Sequence, residues 1–293
     1  MWLIVRLVTS IYTIEDIENM HDYIDYALVA VPHLSIYYKE IDVKKAVVLL
    51  KENNKNIILN INRIMHPSDI EKVINVYKEY LNSDVLFLVS DLGALNEGIK
   101  LGIENRIIYN PETMITNYLD FNEYSSLGVL SCGVSSEITL NDLKLIYGKT
   151  NKSIFYQVFG RRLMFYSRRH LISLYETKNN DKYPHIDAYL KESTRQDYLP
   201  INENEECTAI YRSYNINLID KLNELSFIDF AYLETAFLDN NSKNIVAKAY
   251  FDAIKNNGDL NKLKDLLNNL GLEYQDGFFY KDSVYQKEEL KNV

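Results

Sequence analysis

Short apolar runs alternate with amphipathic stretches along the chain from its first residues. Residues 3–8 (LIVRLV), 27–31 (ALVAV), 57–63 (IILNINR) and 84–91 (DVLFLVSD) read as strands. RIIYN ending at Asn110-Pro111, GVLSCGV and 154–160 (IFYQVFG) complete a set of seven. The stretches between them carry helix signals. Thr13 with Asp16 three residues on predicts a capped helix as far as residue 26, and Asp42 caps a run in which Val43, Ala46, Val47 and Leu50 recur at helical spacing. Ser68 reads as the N-cap of the next helix, before Val73, Ile74, Tyr77 and Leu81, and Thr139 caps one beginning near Leu140. Pro111 ends its strand because it cannot donate to a ladder.

The strands are apolar throughout rather than on alternate positions, which predicts a parallel sheet buried on both faces and covered by helices. A doubly wound sheet satisfies the same pattern. A closed barrel is preferred because the units are many and no GxGxxG turn follows the first strand. After Tyr175 the pattern breaks into a polar, tyrosine-rich and turn-rich segment that reads as β-hairpins. Helical spacing returns at INLIDKLNEL, FIDFAYLET reads as an eighth strand, and SKNIVAKAYFDAIKNN and LNKLKDLLNNLG supply closing helices. The expected fold is therefore α/β, a TIM-like (β/α)8 barrel with a small β-rich insertion before the last strand. Residues 1–171 hold the first seven units, 172–212 the insertion, and 213–293 the barrel completion and tail.

The chain has 293 residues, and a barrel of this kind uses about 250. Its first apolar run is too short for a signal peptide or a membrane span, and no later run approaches the roughly 20 apolar residues that a span needs. Two cysteines, Cys132 and Cys207, lie far apart without metal-ligand spacing, so neither a structural zinc nor a disulfide framework is expected. Cys132 falls in the sixth strand and reads as buried and inert. These features point to the cytoplasm and away from a membrane. A formal net charge of -9 argues against a broad nucleic-acid footprint, although a small basic patch could still serve.

Against that charge, residues 154–175 stand out. Arg161, Arg162, Arg168, Arg169 and His170 fall within ten residues with no acidic neighbour among them. Guanidinium forks bind carboxylate or phosphate bidentately, so the group reads either as an anion site or as a set of salt bridges to Glu137, Asp91 and Asp197. His170 has no second ligand at metal-binding spacing and reads as a hydrogen-bonding residue. Barrels place function at the C-terminal ends of their strands. That rule marks Asn60, Asn62, Arg63, Asp91, Asn110, Thr116, Asn117, Glu137 and Gln157, any of which also reads as a cap or loop residue, Asp91 and Thr116 above all. No GxSxG, HExxH or Walker loop is present, so no hydrolase mechanism is supported by motif.

The run VFGRRLMFYSRRHLISLY resembles the signature region of the collagenase-like peptidases, family U32, in which a strand leads to a glycine and then to a Tyr-Ser element. NIILNINRIMH, VLFLVSDLGALNEGIKLG, RIIYNPETMITNYLDFNEYSSLGV, SSEITLNDLK, ESTRQDYLPINENEECTAIYRSY and DGFFYKDSVYQ extend the likeness over nearly the whole chain. The resemblance implies a TIM-like barrel. It also implies oxygen-independent hydroxylation of tRNA wobble uridine, ribosomal RNA or quinone precursors, despite the peptidase label. The chain looks most like the shorter partner of a two-protein set that makes 5-hydroxyuridine in tRNA, with prephenate as the implied hydroxyl donor.

Prephenate is a dicarboxylate, which supplies an anion for Arg161, Arg162, Arg168 and Arg169, with Arg195 reaching in from the insertion. His170, Tyr166, Asn62, Asn117 and Glu137 would then complete the substrate site. Many relatives carry cysteines around the Tyr-Ser element and hold an iron-sulfur cluster, which needs about four thiolates. The matching positions here are Leu163 and His170, so neither a cluster nor another metal is expected in this chain. The expected partners are tRNA, a longer paralogue and a small dicarboxylate. A peptidase and a non-catalytic partner subunit remain the two other readings.

Overall fold

The computed structural model describes residues 5–194 and 196–280. Eight parallel strands close into a barrel: β1 (Arg6–Ile11), β2 (Tyr26–Ala30), β3 (Asn56–Ile61), β4 (Leu86–Val89), β5 (Ile107–Tyr109), β6 (Ser131–Gly133), β7 (Ser153–Gly160) and, at the end of the circuit, β13 (Phe230–Leu233). Each pairs with the next in chain order, and β13 bridges β7 and β1 to close the ring. The barrel interior is filled by Val8, Leu28, Ile58, Leu88, Ile108, Phe155, Phe230 and Tyr232. Every strand therefore has apolar neighbours on both faces, which is why the runs lack alternation.

Helices α1 (Ile14–Met20), α2 (Val43–Glu52), α3 (Pro67–Glu79), α4 (Leu92–Lys100), α5 (Tyr118–Ser126) and α6 (Leu140–Lys149) connect successive barrel strands. Thr13, Asp42 and Thr139 cap α1, α2 and α6 as expected. Several boundaries differ, and α1 ends at Met20, short of the expected residue 26, because Tyr26 already begins β2. The first strand runs to Ile11, beyond the expected end at residue 8, because Thr9 and Ser10 are fully buried and Ser10 Oγ lies 2.9 Å from Thr235 Oγ1. Helix α3 is capped by His66 rather than Ser68, with Pro67 in the first turn and Asp69 accepting the His66 N–H at 2.9 Å. The cap of α5 is Asn117 and not Thr116.

Between β7 and β13 the chain builds a separate antiparallel sheet in the order β8 (Leu163–Ser167), β11 (Thr208–Tyr211), β10 (Leu199–Glu203), β9 (Ala188–Leu190). Its first strand begins at Leu163, upstream of residue 172, so the sheet starts between the two arginine pairs, Arg161 and Arg162 before it and Arg168 and Arg169 after it. Helix α7 (Leu171–Asn179) lies within the insertion, and the Glu203 carboxylate accepts the Ile172 and Ser173 N–H groups at 2.7 and 3.1 Å. An external carboxylate thus satisfies orphan donors of the first turn. A two-residue strand, β12 (Ile216–Asn217), pairs antiparallel with β7, and α8 (Asn240–Lys255) and α9 (Leu260–Asn268) follow β13. No helix among the described residues is long and apolar enough to cross a membrane.

Candidate functional site at the barrel mouth

The C-terminal ends of the strands surround a cavity of about 50 Å³. Its floor is the barrel interior, where Phe155 and Tyr232 stack with centroids 5.3 Å apart. Its walls are polar, with Asn60 near the end of β3 and Asn62 just past it, Asn110 and Glu112 after β5, Ser136 after β6, Gln157 and Arg161 from β7 and its turn, and Glu234 directly after β13. Tyr12, Tyr37 and Tyr211 close the side nearest the inserted sheet.

Two carboxylates face this space. Glu234 is held by four donors: the Tyr12 phenol at 2.5 Å, the Tyr232 phenol at 2.6 Å, the Ala236 N–H at 2.8 Å and the Ser10 hydroxyl at 3.2 Å. Burial, with Glu234 adding to it, pushes the Tyr12 and Tyr232 phenols well above their ordinary value, so both stay neutral donors. Glu112 sits in the left-handed region at φ 57, directly after Pro111. Burial and the neighbouring Glu234 charge push its carboxyl up to about 7, against the opposing pull of Arg162. Gly160 makes the close approach possible: its φ is +99, and a Cβ there would lie 2.0 Å from the Glu234 carbonyl oxygen.

The ten residues expected to form the substrate site are dispersed. Arg161 and Asn62 line the cavity. Arg161 donates to the carbonyls of Arg212, at 2.9 Å, and Ser213, and burial holds its guanidinium below the ordinary arginine value. Asn62 accepts the Ile36 N–H at 3.0 Å. Arg162 is buried behind the wall, donates to the Ser136 carbonyl and lies 5.7 Å over the Tyr156 ring. Arg168 turns away to Asp69 at 3.0 Å, and Arg169 and His170 are exposed on the insertion, with a His170 ring nitrogen 3.1 Å from the Glu205 carbonyl. Asn117 caps α5, its side-chain Oδ1 accepting the Leu119 and Asp120 N–H groups, and Glu137 meets Arg212 at 3.4 Å on the surface. Arg195 lies outside the described residues.

Tyr166 belongs to a second cluster beside the mouth. Among the described residues its buried hydroxyl has no hydrogen-bond partner, and burial, with Cys207 nearby, pushes it up to about 12. Arg63, fully buried, adjoins it and pairs with Asp69 at 3.1 Å. Leu163, at one of the two positions where relatives carry cysteine, lines the mouth and packs with Tyr12, Tyr37 and Cys207 in an apolar cluster.

Sequence reasoning missed Glu112, Glu234 and the tyrosines around them. The signal for Glu234 was present, since it directly follows the eighth apolar run, FAYL, where the strand-end rule applies as it does elsewhere. Glu112 lies two residues past the fifth run, and nothing local marks its backbone as left-handed.

Comparison with known proteins follows the same outline. The family model described as Peptidase family U32 matches residues 37–289. A tRNA hydroxylation protein P2 from Bacillus subtilis is 24% identical over 264 residues, covering 83% of this chain and 85% of that protein. The structure of the U32 peptidase Mk0906 superposes with a TM-score of 0.51 at 11% identity, covering 78% of this chain and 92% of that one. Orotidine 5'-monophosphate decarboxylase from Methanocaldococcus jannaschii gives 0.50 at 13% identity, covering 86% and 99%. At such identities the two structures share the barrel fold with this chain and nothing finer.

Proposed function

Because the chain belongs to peptidase family U32, we propose that it takes part in tRNA hydroxylation, converting wobble uridine to 5-hydroxyuridine in the cytoplasm beside a longer paralogue. The observation that carries this reading is the likeness to a tRNA hydroxylation protein over 83% of the chain. The barrel mouth is the reaction site, and prephenate is the hydroxyl donor. One carboxylate of prephenate enters the cavity near Arg161 and Arg162 while the rest of the molecule extends through the mouth. This division is required by size, since about 50 Å³ accommodates a few atoms, against the ~150 Å³ that a benzene-sized guest occupies.

The mouth fits hydroxylation better than peptide hydrolysis. Among the described residues that line it, Ser136 carries an aliphatic hydroxyl and none is a histidine or cysteine that could activate it. An iron-sulfur cluster does not fit the donor set of this chain. It has two cysteines, both fully buried, Cys132 beside Ser125 and Cys207 beside Asn204 in a different apolar cluster. No step through a cluster is therefore assigned to it.

The test is nucleoside mass spectrometry of tRNA from a strain lacking this protein. Loss of 5-hydroxyuridine and its derivatives, restored by the wild-type copy, is the expected outcome. An unchanged nucleoside profile would overturn the assignment.

A further inference from the structure

We propose that Glu112 is the proton carrier of the barrel mouth, seating a ligand carboxylate by becoming a neutral acid that donates a hydrogen bond to it. The inference rests on the reading of the mouth as a site for a small carboxylate ligand and adds the group that makes such a ligand acceptable there.

The charge balance motivates it. With both glutamates ionised, Glu112 and Glu234 are offset by Arg161 in the wall and by Arg162 buried behind it, so these four groups sum to zero. A ligand carboxylate brings one further negative charge into a partly desolvated space that already holds two. Like charges confined in one site shed one of them by taking up a proton. The entering ligand therefore restores neutrality if one proton comes from solvent with it.

Glu112 is the group placed to accept that proton. Glu234 receives four donors, and each would be lost or reoriented if its carboxylate became an acid. Among the described residues the Glu112 carboxyl makes no hydrogen bond, so its protonation gives up only the attraction of Arg162. Its left-handed backbone, φ 57, holds it over the cavity from the loop after β5. The charged and titratable groups facing it are Glu234 after β13, Arg161 and Arg162 after β7, and the phenols of Tyr12, Tyr211 and Tyr232. All three phenols are pushed well above their ordinary value, chiefly by burial, and stay neutral near pH 7. The Glu112 carboxyl itself, up to about 7 by burial and then by Glu234, exchanges its proton in the physiological range.

The sign follows from linkage. A ligand carboxylate raises the Glu112 value further in the complex, so affinity is full below the free-state value and is lost as pH rises through it. The loss approaches about tenfold per pH unit on the alkaline side. The experiment is calorimetric titration of the full chain with prephenate between pH 6 and 8.5, in buffers of low and high ionisation enthalpy. The expected result is proton uptake that grows from a fraction of a proton at pH 6.5 towards one proton per ligand at pH 8.5. Glu112→Gln, which keeps a neutral donor, should bind with no uptake and a flat pH profile.

Binding without proton uptake, or uptake that persists in Glu112→Gln, overturns the proposal and leaves the mouth as a carboxylate site. Absence of prephenate binding by the wild-type chain overturns both the ligand reading and the proposal. The buffer comparison needs only the wild-type chain, so a variant that fails to fold does not decide the outcome.

Discussion

Truncating Asp69 to alanine should cost far more stability than its place in the first turn of a helix would suggest. Two arginines converge on this carboxylate: Arg63 at 3.1 Å, with a side chain 0% exposed, and Arg168 at 3.0 Å, 36% exposed. Asp69 also accepts the His66 N–H that begins α3. Beyond that ion pair Arg63 makes a hydrogen bond from Nε to the His33 carbonyl at 3.1 Å, and among the described residues neither Nη1 nor Nη2 has a hydrogen-bond partner. Asp69→Ala therefore strands a guanidinium inside the protein, a change that costs about 3–5 kcal/mol. For a chain of this length that corresponds to a fall in Tm of roughly 5–10 °C. Arg168→Ala removes only the exposed partner and should cost about 1 kcal/mol or less. Urea unfolding followed by circular dichroism measures both. Replacing the pair together, Arg63→Met with Asp69→Leu, should recover most of the loss because no buried charge remains. The pH dependence has a definite sign. Burial alone would raise the Asp69 value, but Arg63, the His66 N–H and Arg168 outweigh it and hold the carboxyl well below the usual range. A depressed folded-state value gives stability that is present above the unfolded value, about 3.9, and lost as pH falls through the folded one. The gap between wild type and Asp69→Ala should be flat from pH 8 to pH 5 and narrow below pH 4. Equal costs for Asp69→Ala and Arg168→Ala, or a gap that changes between pH 6 and pH 8, would refute the reasoning.

Gly160→Ala should open the junction between β7 and β13, because the new methyl would lie 2.0 Å from the Glu234 carbonyl at a backbone angle that L-residues avoid. The expected loss exceeds about 2 kcal/mol with a changed near-ultraviolet tyrosine signal, and a wild-type melting curve would contradict it. Both thiols are pushed up to about 11, chiefly by burial, so they are neutral at pH 8. Iodoacetamide at pH 8 should label neither Cys132 nor Cys207 in the folded chain and both in urea, as read by intact-mass spectrometry. Labelling of either in the folded chain would contradict the burial described.

The barrel was legible because its strands are covered on both faces, and a strand with no wet face has no reason to alternate. Where polar residues carry buried ladder positions the reading faltered. Thr9 and Ser10 look like the end of a strand by composition, yet they are buried and Ser10 bonds across to Thr235. Helix starts were legible where a single side chain caps its own turn, as at Thr13, Asp42 and Thr139. They were missed at α3, where His66 takes the cap position and its partner Asp69 also holds Arg63 and Arg168.

The arginine-rich stretch shows why nearness in sequence is a weak guide to a shared site. Gly160 turns the chain out of the barrel, and the arginines flank the five-residue strand β8, Arg161 and Arg162 before it and Arg168 and Arg169 after it. Arg161 consequently reaches the mouth, Arg162 lies buried against the Ser136 carbonyl, and Arg168 crosses to Asp69 on the neighbouring loop. Charge density in a ten-residue window thus becomes three separate electrostatic environments. The converse holds for the acids. Glu112 and Glu234 come from the ends of different barrel strands, far apart in the chain, and no local window pairs them. What brings them together is closure of the barrel, which gathers the end of every strand around one opening. Arg161 and the acids of the distant strand ends therefore meet only in the folded mouth.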